Sequence, residues 1–281
     1  MSDKKMFFIT GRGRSGSWLL QSLLNAHQDV CVSPEAMIIM HTYGKYSGKK
    51  SIDRDSFASD LWSEVRLEQW WDIKEHELRK AIREKDGGLD ELYKIVFELQ
   101  AGKEGKKGAS VLGDKNPSNT LFMKELMDIF PEARFVCMTR HYKDNIMSFK
   151  SVRFDFSNTA ALAERWRYYN KSILDLRKKN PGRVIIIRYE DLVLNPEKEL
   201  RKICSFLGIR FRSGLLEFYK RKNSIFEWTK ELKNPVNPKK AFSRRNTMSR
   251  IDAEIADSVC AGIGKKLGYQ SASKPGVKAL L

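Results

Sequence analysis

Three glycines and two arginines crowd the segment Gly11, Arg12, Gly13, Arg14 and Gly16, between the apolar run MFFI and the apolar-periodic stretch that starts at Ser17. A strand-like run that ends in a glycine-rich turn and restarts as a helix converges several backbone N–H groups on one point, the chemistry of an anion site. Its spacing admits three readings. Gly11, Gly13 and Gly16 satisfy G-x-G-x-x-G, and Glu35 follows 35 − 16 = 19 residues later, near the place of a ribose-binding carboxylate in a dinucleotide fold. Gly11 and Gly16 also frame G-x-x-x-x-G-K-[ST], but Ser17 and Trp18 stand where a lysine and a Mg²⁺-ligating hydroxyl would be. The third reading is a glycine turn with two solvated arginines. A pyrophosphate approached by backbone has little use for Arg12 and Arg14, whereas helix-terminal N–H groups plus a fixed guanidinium suit a phosphate bearing a further anionic group, such as a phosphosulfate.

The segment Phe135 to Arg153, FVCMTRHYKDNIMSFKSVR, repeats this logic. A strand ends in Arg140 and the helix after it carries Ser148, so guanidinium and hydroxyl can clamp one phosphate from two sides. Taken alone, Arg140 could instead pair structurally with Asp144 or another buried acid, and Ser148 could be an ordinary helix serine. Glu35, after Pro34, is either a general base or a cap for the next helix. Lys115 in GDKNP precedes a helix opened by Pro117. Tyr189 closes a strand and reads as a core aromatic unless a ligand reaches it.

The elements that must position these residues alternate. Strands are expected at 6–10, 30–32, 109–113, 134–139 and 184–188, with helices at 17–27, 118–130, 142–152, 157–179 and 196–207 and a mostly helical stretch from about 53 to 102. Such alternation implies an α/β fold, a P-loop-like three-layer α/β/α arrangement with a central parallel sheet, whose ligands bind beyond the carboxyl ends of the strands. One domain over 1–270 carries a helical insertion at about 43–108, and 271–281 forms a tail. Trp62, Trp70 and Trp71 read as the insertion's private core. The Lys/Arg-rich segment 226–249 reads as a basic loop able to close over an anion.

The chain has 281 residues, 41% of them hydrophobic, with 52 Lys plus Arg against 35 Asp plus Glu and a net charge of +17. That charge favours polyanionic cofactors, acidic acceptors, nucleic acid or anionic lipid. The basic residues are scattered through ordinary helices without a zinc finger, an aromatic ribonucleoprotein motif or a G-x-x-G loop in a KH context, so nucleic acid is not expected as a partner. No apolar run approaches the roughly 20 residues of a bilayer span, and MSDKK lacks a signal-peptide core, which makes a cytoplasmic protein the expectation. Cys31, Cys137, Cys204 and Cys260 lack C-x-x-C spacing and read as reduced, structural thiols.

The loop GRGRSGSWLLQ, the segment GDKNP, the MTR-x7-S spacing and the late RYEDLVLNPEKELRKICSFLGI together resemble the sulfotransferases that use 3′-phosphoadenosine 5′-phosphosulfate (PAPS), over most of residues 6–208. The resemblance implies that Arg14, Ser15, Gly16, Ser17 and Trp18 hold the 5′-phosphosulfate and that Arg140 with Ser148 holds the 3′-phosphate, with adenosine 3′,5′-bisphosphate (PAP) left as product. It extends to the tyrosylprotein and bacterial-type branch, whose first helix also runs into a His-x-x-Val turn, here His27 to Val30, followed by a glutamate in the place of Glu35. That likeness implies Glu35 as base, Lys115 beside the scissile bond and Tyr189 against the nucleotide; His41 is the reserve base, as the resemblance to the cytosolic sulfotransferases, many of which use histidine there, implies. It implies a metal-free site and a hydroxyl acceptor: a small alcohol or phenol such as a sterol or lipid, or a saccharide. Two departures stand out. An arginine of that branch one turn after the serine is replaced by Val152, leaving Lys150 or Arg153 to substitute, and the branch's disulfides and membrane anchor have no counterpart. A P-loop kinase or NTPase and a basic nucleic-acid-binding protein are the alternatives, the former opposed by Ser17-Trp18.

Overall fold

The computed structural model describes residues 4–152, 158–221 and 230–270. In chain order the elements are β1 (Lys5–Gly11), α1 (Ser17–Asn25), β2 (Val30–Ser33), α2 (Ile38–Tyr46), α3 (Arg54–Trp62), α4 (Arg66–Gln69), α5 (Glu75–Glu84), α6 (Leu89–Lys103) and β3 (Val111–Lys115). A 3₁₀ turn at Pro117–Leu121 leads into α7 (Met123–Ile129), β4 (Arg134–Thr139), α8 (Tyr142–Lys150), α9 (Thr159–Lys179), β5 (Val184–Arg188), α10 (Tyr189–Leu194), α11 (Pro196–Leu207) and α12 (Arg250–Lys266).

The five strands form one all-parallel sheet in the order β2-β3-β1-β4-β5. From β1 the chain crosses to β2 on one side and from β4 to β5 on the other, so the neighbours β1 and β4 flank the switch point where an open α/β sheet binds its ligand. The glycine-rich loop leaves β1 there, and Arg140 follows β4 there.

Both sheet faces are covered, which is why the inner strands read as continuous apolar runs. Phe7, Ile9, Val32, Val136 and Met138 pack with Leu20, Leu23 and Leu24 of α1 and with Leu200 and Ile203 of α11. Phe8, Leu112 and Phe135 pack on the opposite face with Phe57, Tyr93 and Phe97 of the insertion. A third cluster joins Tyr142, Trp166 and Cys260 from α8, α9 and α12. Trp71 is buried in the core and Trp62 and Trp70 pack against it, yet that core is not private: it is continuous with the sheet's own face. The insertion is therefore one layer of the fold.

Two expected boundaries move. β3 runs to Lys115 because its ladder against β1 continues through Ile9↔Lys115, which puts Lys115 inside the sheet's edge and not in a solvated loop. The helix expected at 118–130 is broken at Phe122 (φ −122°), since Asn116 and Pro117 start a tighter 3₁₀ turn first. The short helix α10 and the long α12 join the expected list. Among the described residues no helix is long and apolar enough to cross a membrane.

The loop can leave β1 only at a glycine. Gly11 has φ 122°, and a Cβ there would lie 2.1 Å from the Met138 carbonyl oxygen of β4. At Gly13 the nearest obstacle is the edge of the Phe149 ring at 3.3 Å. We expect Gly11→Ala to lower stability by about 1–3 kcal/mol and Gly13→Ala to cost much less, read from urea midpoints at unchanged m-value; equal effects would contradict the close approach.

Candidate active site

Gly16, in the left-handed region at φ 92°, is the N-cap of α1, which has no side-chain cap and no acidic residue in its first turn. The helix thus presents its first N–H groups and the positive end of its dipole to the loop. Ser15 and Ser17 are buried beside it. Arg14, itself at φ 64°, is exposed, and its Nε donates to Ser148 Oγ at 3.1 Å. Asn145, one turn before Ser148 and on the same face of α8, donates its amide to the Gly13 carbonyl (2.9 Å) and to Ser15 Oγ (3.2 Å). The loop is thereby tied to α8.

Arg140 is buried, with its guanidinium 4.4 Å above the Tyr189 ring and Nη1 3.4 Å from the Arg14 carbonyl. Its Nε is buried without a hydrogen-bond partner among the described residues. Tyr189 in turn packs directly against the loop, since a Cβ at Gly16 would meet its ring at 2.4 Å. Glu190, the next residue, accepts from the backbone N–H of His141 (2.9 Å) and so locks the β4–α8 junction to the β5–α10 junction. An uncapped helix start, an unsatisfied buried guanidinium nitrogen and a serine hydroxyl within one cluster fit a doubly anionic ligand.

At the other side of the loop Lys115 is fully buried, its Nζ 3.3 Å from the centre of the Trp18 ring and 2.5 Å from Glu35 Oε1. The ammonium missing from the loop's own sequence thus arrives from β3. Desolvation pushes the Lys115 pKa down to about 8, with Glu35 and Asp114 opposing it. Burial pushes its neighbour Asp114 up to about 7, against a hydrogen bond from Asn119 Nδ2 (2.6 Å) and the charge of Lys115. Glu35 is 29% exposed, so it meets the buried lysine on one side and solvent on the other.

Several residues land elsewhere. Arg12 is buried, donates to the Leu162 carbonyl and stacks 4.3 Å over Phe149, so it is not the solvated residue that the plain glycine-turn reading required. Asp144 pairs with Arg245 at 2.6 Å and caps the backbone N–H groups of Arg244 and Arg245, which leaves Arg140 for other work. Lys150 is engaged by Asp252 at 2.8 Å and so is unavailable to replace the arginine absent at Val152; Arg153 lies outside the described residues. His41 is half-exposed beside Glu64 (3.8 Å), and Glu35 is the carboxylate that meets Lys115. His27 is buried in the turn after α1, bonded to the Arg210 carbonyl, and His76 is exposed on α5. Of the basic loop, residues 226–229 lie outside the described set; Leu232, Val236 and Lys240 border a cleft of about 230 Å³ with Leu19 and Tyr189. Asn145 was legible from its spacing of three from Ser148, whereas Glu190 and Asp144 carry no local signal.

A protein-family model described as "Sulfotransferase family" matches residues 7–213. Protein-tyrosine sulfotransferase 1 of Danio rerio is 24% identical over 97% of this chain and 74% of its own length. A putative protein-tyrosine sulfotransferase of Caenorhabditis briggsae is 22% identical over 97% of this chain and 92% of its own. Among solved structures, the sulfotransferase domain of the Synechococcus PCC 7002 olefin synthase superposes with a TM-score of 0.64 at 22% identity, covering 95% of both chains. The sulfotransferase domain of the curacin biosynthetic pathway gives 0.66 at 18%, covering 95% of this chain and 98% of the other.

The buried Asp114 makes stability depend on pH. Its folded pKa is raised from 3.8 to about 7, so the folded state holds the extra proton between those values and stability falls as pH rises through that window. Asp114→Asn removes the term. Urea titrations at pH 4.5 and 7.5 should show the variant gaining on the wild type at the higher pH; a pH-independent difference would contradict the assignment.

Proposed function

The chain belongs to the sulfotransferase family and is a PAPS-dependent sulfotransferase, and from that premise we propose how its residues carry the transfer and to which class of acceptor. The site supports an in-line displacement at sulfur: the acceptor oxygen forms the new S–O bond, the bridging S–O bond breaks, and its electron pair stays on the 5′-phosphate oxygen of the departing PAP. PAPS supplies the sulfuryl group. Lys115, Arg14 and the N-terminal amides of α1 stabilise the charge that grows on the leaving oxygen. Glu35 takes the proton of the acceptor hydroxyl. Arg140 and Ser148 bind the 3′-phosphate, and the Tyr189 face beside the loop receives the nucleotide.

The single observation that carries this reading is the buried Lys115 ammonium, set between Glu35 and Trp18 at the start of α1. Such a cation, already stripped of water, interacts strongly with any negative charge developing beside it. The kinase or NTPase alternative gives way to the family match. Contiguity of the two anion stations also favours PAPS, because its 5′- and 3′-phosphates hang from one ribose. For the acceptor we place a phenol first, supported by relatives named for protein-tyrosine sulfation, with sterols, lipids and saccharides as the other arms of the test. We place the protein in the cytoplasm, supported by four free, buried thiols.

Labelled PAPS offered with 4-nitrophenol, N-acetyl-tyrosine amide, sterols, lipids and saccharides should yield a labelled phenol sulfate; label on none of them would end the proposal. Glu35→Gln, assayed near pH 6 so that Lys115 keeps its proton without its counter-charge, should cost at least about a hundredfold in kcat; retained turnover would remove Glu35 from the role. Because Lys115 must stay protonated to act, kcat/KM should fall as pH rises through about 8. Lys115→Arg should carry that limb to much higher pH, and a limb indifferent to the substitution would assign it to another group.

A further inference from the structure

Glu35 sits in a four-residue connection, residues 34–37, between the end of β2 and the start of α2. This connection lacks a ladder partner or a helix of its own. Its backbone is held from outside at three points. The Trp71 indole N–H donates to the Pro34 carbonyl at 3.1 Å, the Asn116 amide donates to the Ala36 carbonyl at 3.3 Å, and the Glu64 carboxylate accepts the Met37 N–H at 2.9 Å. Trp71 and Glu64 belong to the insertion, and they bracket Glu35 on either side.

Both are built to hold still. Trp71 is 2% exposed and packs on Phe97 with ring centres 5.5 Å apart. Glu64 is 4% exposed, with Arg66 reaching it through both backbone N–H (3.3 Å) and Nη1 (3.4 Å), and its negative charge faces the N-terminus of α2. Two buried polar side chains on a scaffold layer, each directed to a backbone group flanking the proposed base, are what a pre-organised carboxylate requires.

We propose that Trp71 and Glu64 are positioning residues for Glu35, so that the helical insertion sets the place of the proton acceptor relative to Lys115. The inference rests on the reading of Glu35 as base. It makes the insertion part of the reaction geometry, whatever share it also takes in acceptor binding.

The test uses the full chain, labelled PAPS, and 4-nitrophenol or the acceptor found in the panel above. Trp71→Phe, which keeps a buried ring and loses the N–H, and Glu64→Ala should each lower kcat by about tenfold or more. Glu64→Gln, which keeps an oxygen for the Met37 N–H, should restore most of the loss. PAP affinity by calorimetry should stay within about twofold in all of them, and neither loss should add to that of Glu35→Gln, as expected for residues that act as a unit. Full turnover in Trp71→Phe and Glu64→Ala beside a disabled Glu35→Gln overturns the inference and spares the base. Losses that persist in the Glu35→Gln background, or that PAP affinity follows, assign the two residues to general stability and overturn it as well. Full turnover in Glu35→Gln removes the base and the inference together.

Discussion

A lysine ammonium with no exposure to water is the constraint around which this molecule is arranged. Taking the charge of Lys115 out of solvent is unfavourable, and only a close counter-charge and a polarisable surface offset it. Glu35 supplies the first from the connection after β2 and Trp18 the second from the start of α1. Neither is a neighbour in sequence. The strand order β2-β3-β1 brings all three to one edge, with β3 between the strand that leads to Glu35 and the strand that leads to the loop. The same burial that lowers the lysine's pKa leaves its cation poorly solvated, which strengthens its response to a new anion.

On the far side of the loop the logic is one of sharing. Arg14 reaches Ser148, Arg140 reaches the Arg14 carbonyl, and Tyr189 lies between Arg140 and Gly16. Stations that seemed separate along the chain form one wall. Asn145 and Glu190 tie that wall together through backbone groups, which is the pre-organisation that the proposed phosphate contacts of Arg140 and Ser148 call for.

The loop, the strand ending at Arg140 and Ser148 two turns later were legible because each rests on local rules: glycine where φ is positive, apolar runs where strands are buried, and helical spacing for one face. The parallel sheet followed from the alternation of elements. What stayed hidden depends on partners far along the chain. Nothing near Arg12 announces that its guanidinium turns toward Leu162, 150 residues away. Lys115 looked like a loop residue because apolar character fades at Gly113, while the ladder with β1 continues regardless. The same holds for Asp144 with Arg245, about 100 residues apart, and for the insertion's hold on residues 34–37. The bonds from Trp71 and Glu64 to the connection after β2 leave no sequence signature at the residues they hold.

The most direct measurement of the central claim is a crystal structure of the protein with PAP bound. The account predicts the 5′-phosphate at the start of α1 within hydrogen-bond reach of Lys115 and Arg14, and the 3′-phosphate between Arg140 and Ser148. PAP seated at another surface, or at this one with Lys115 still turned only to Glu35 and no phosphate beside it, would contradict it.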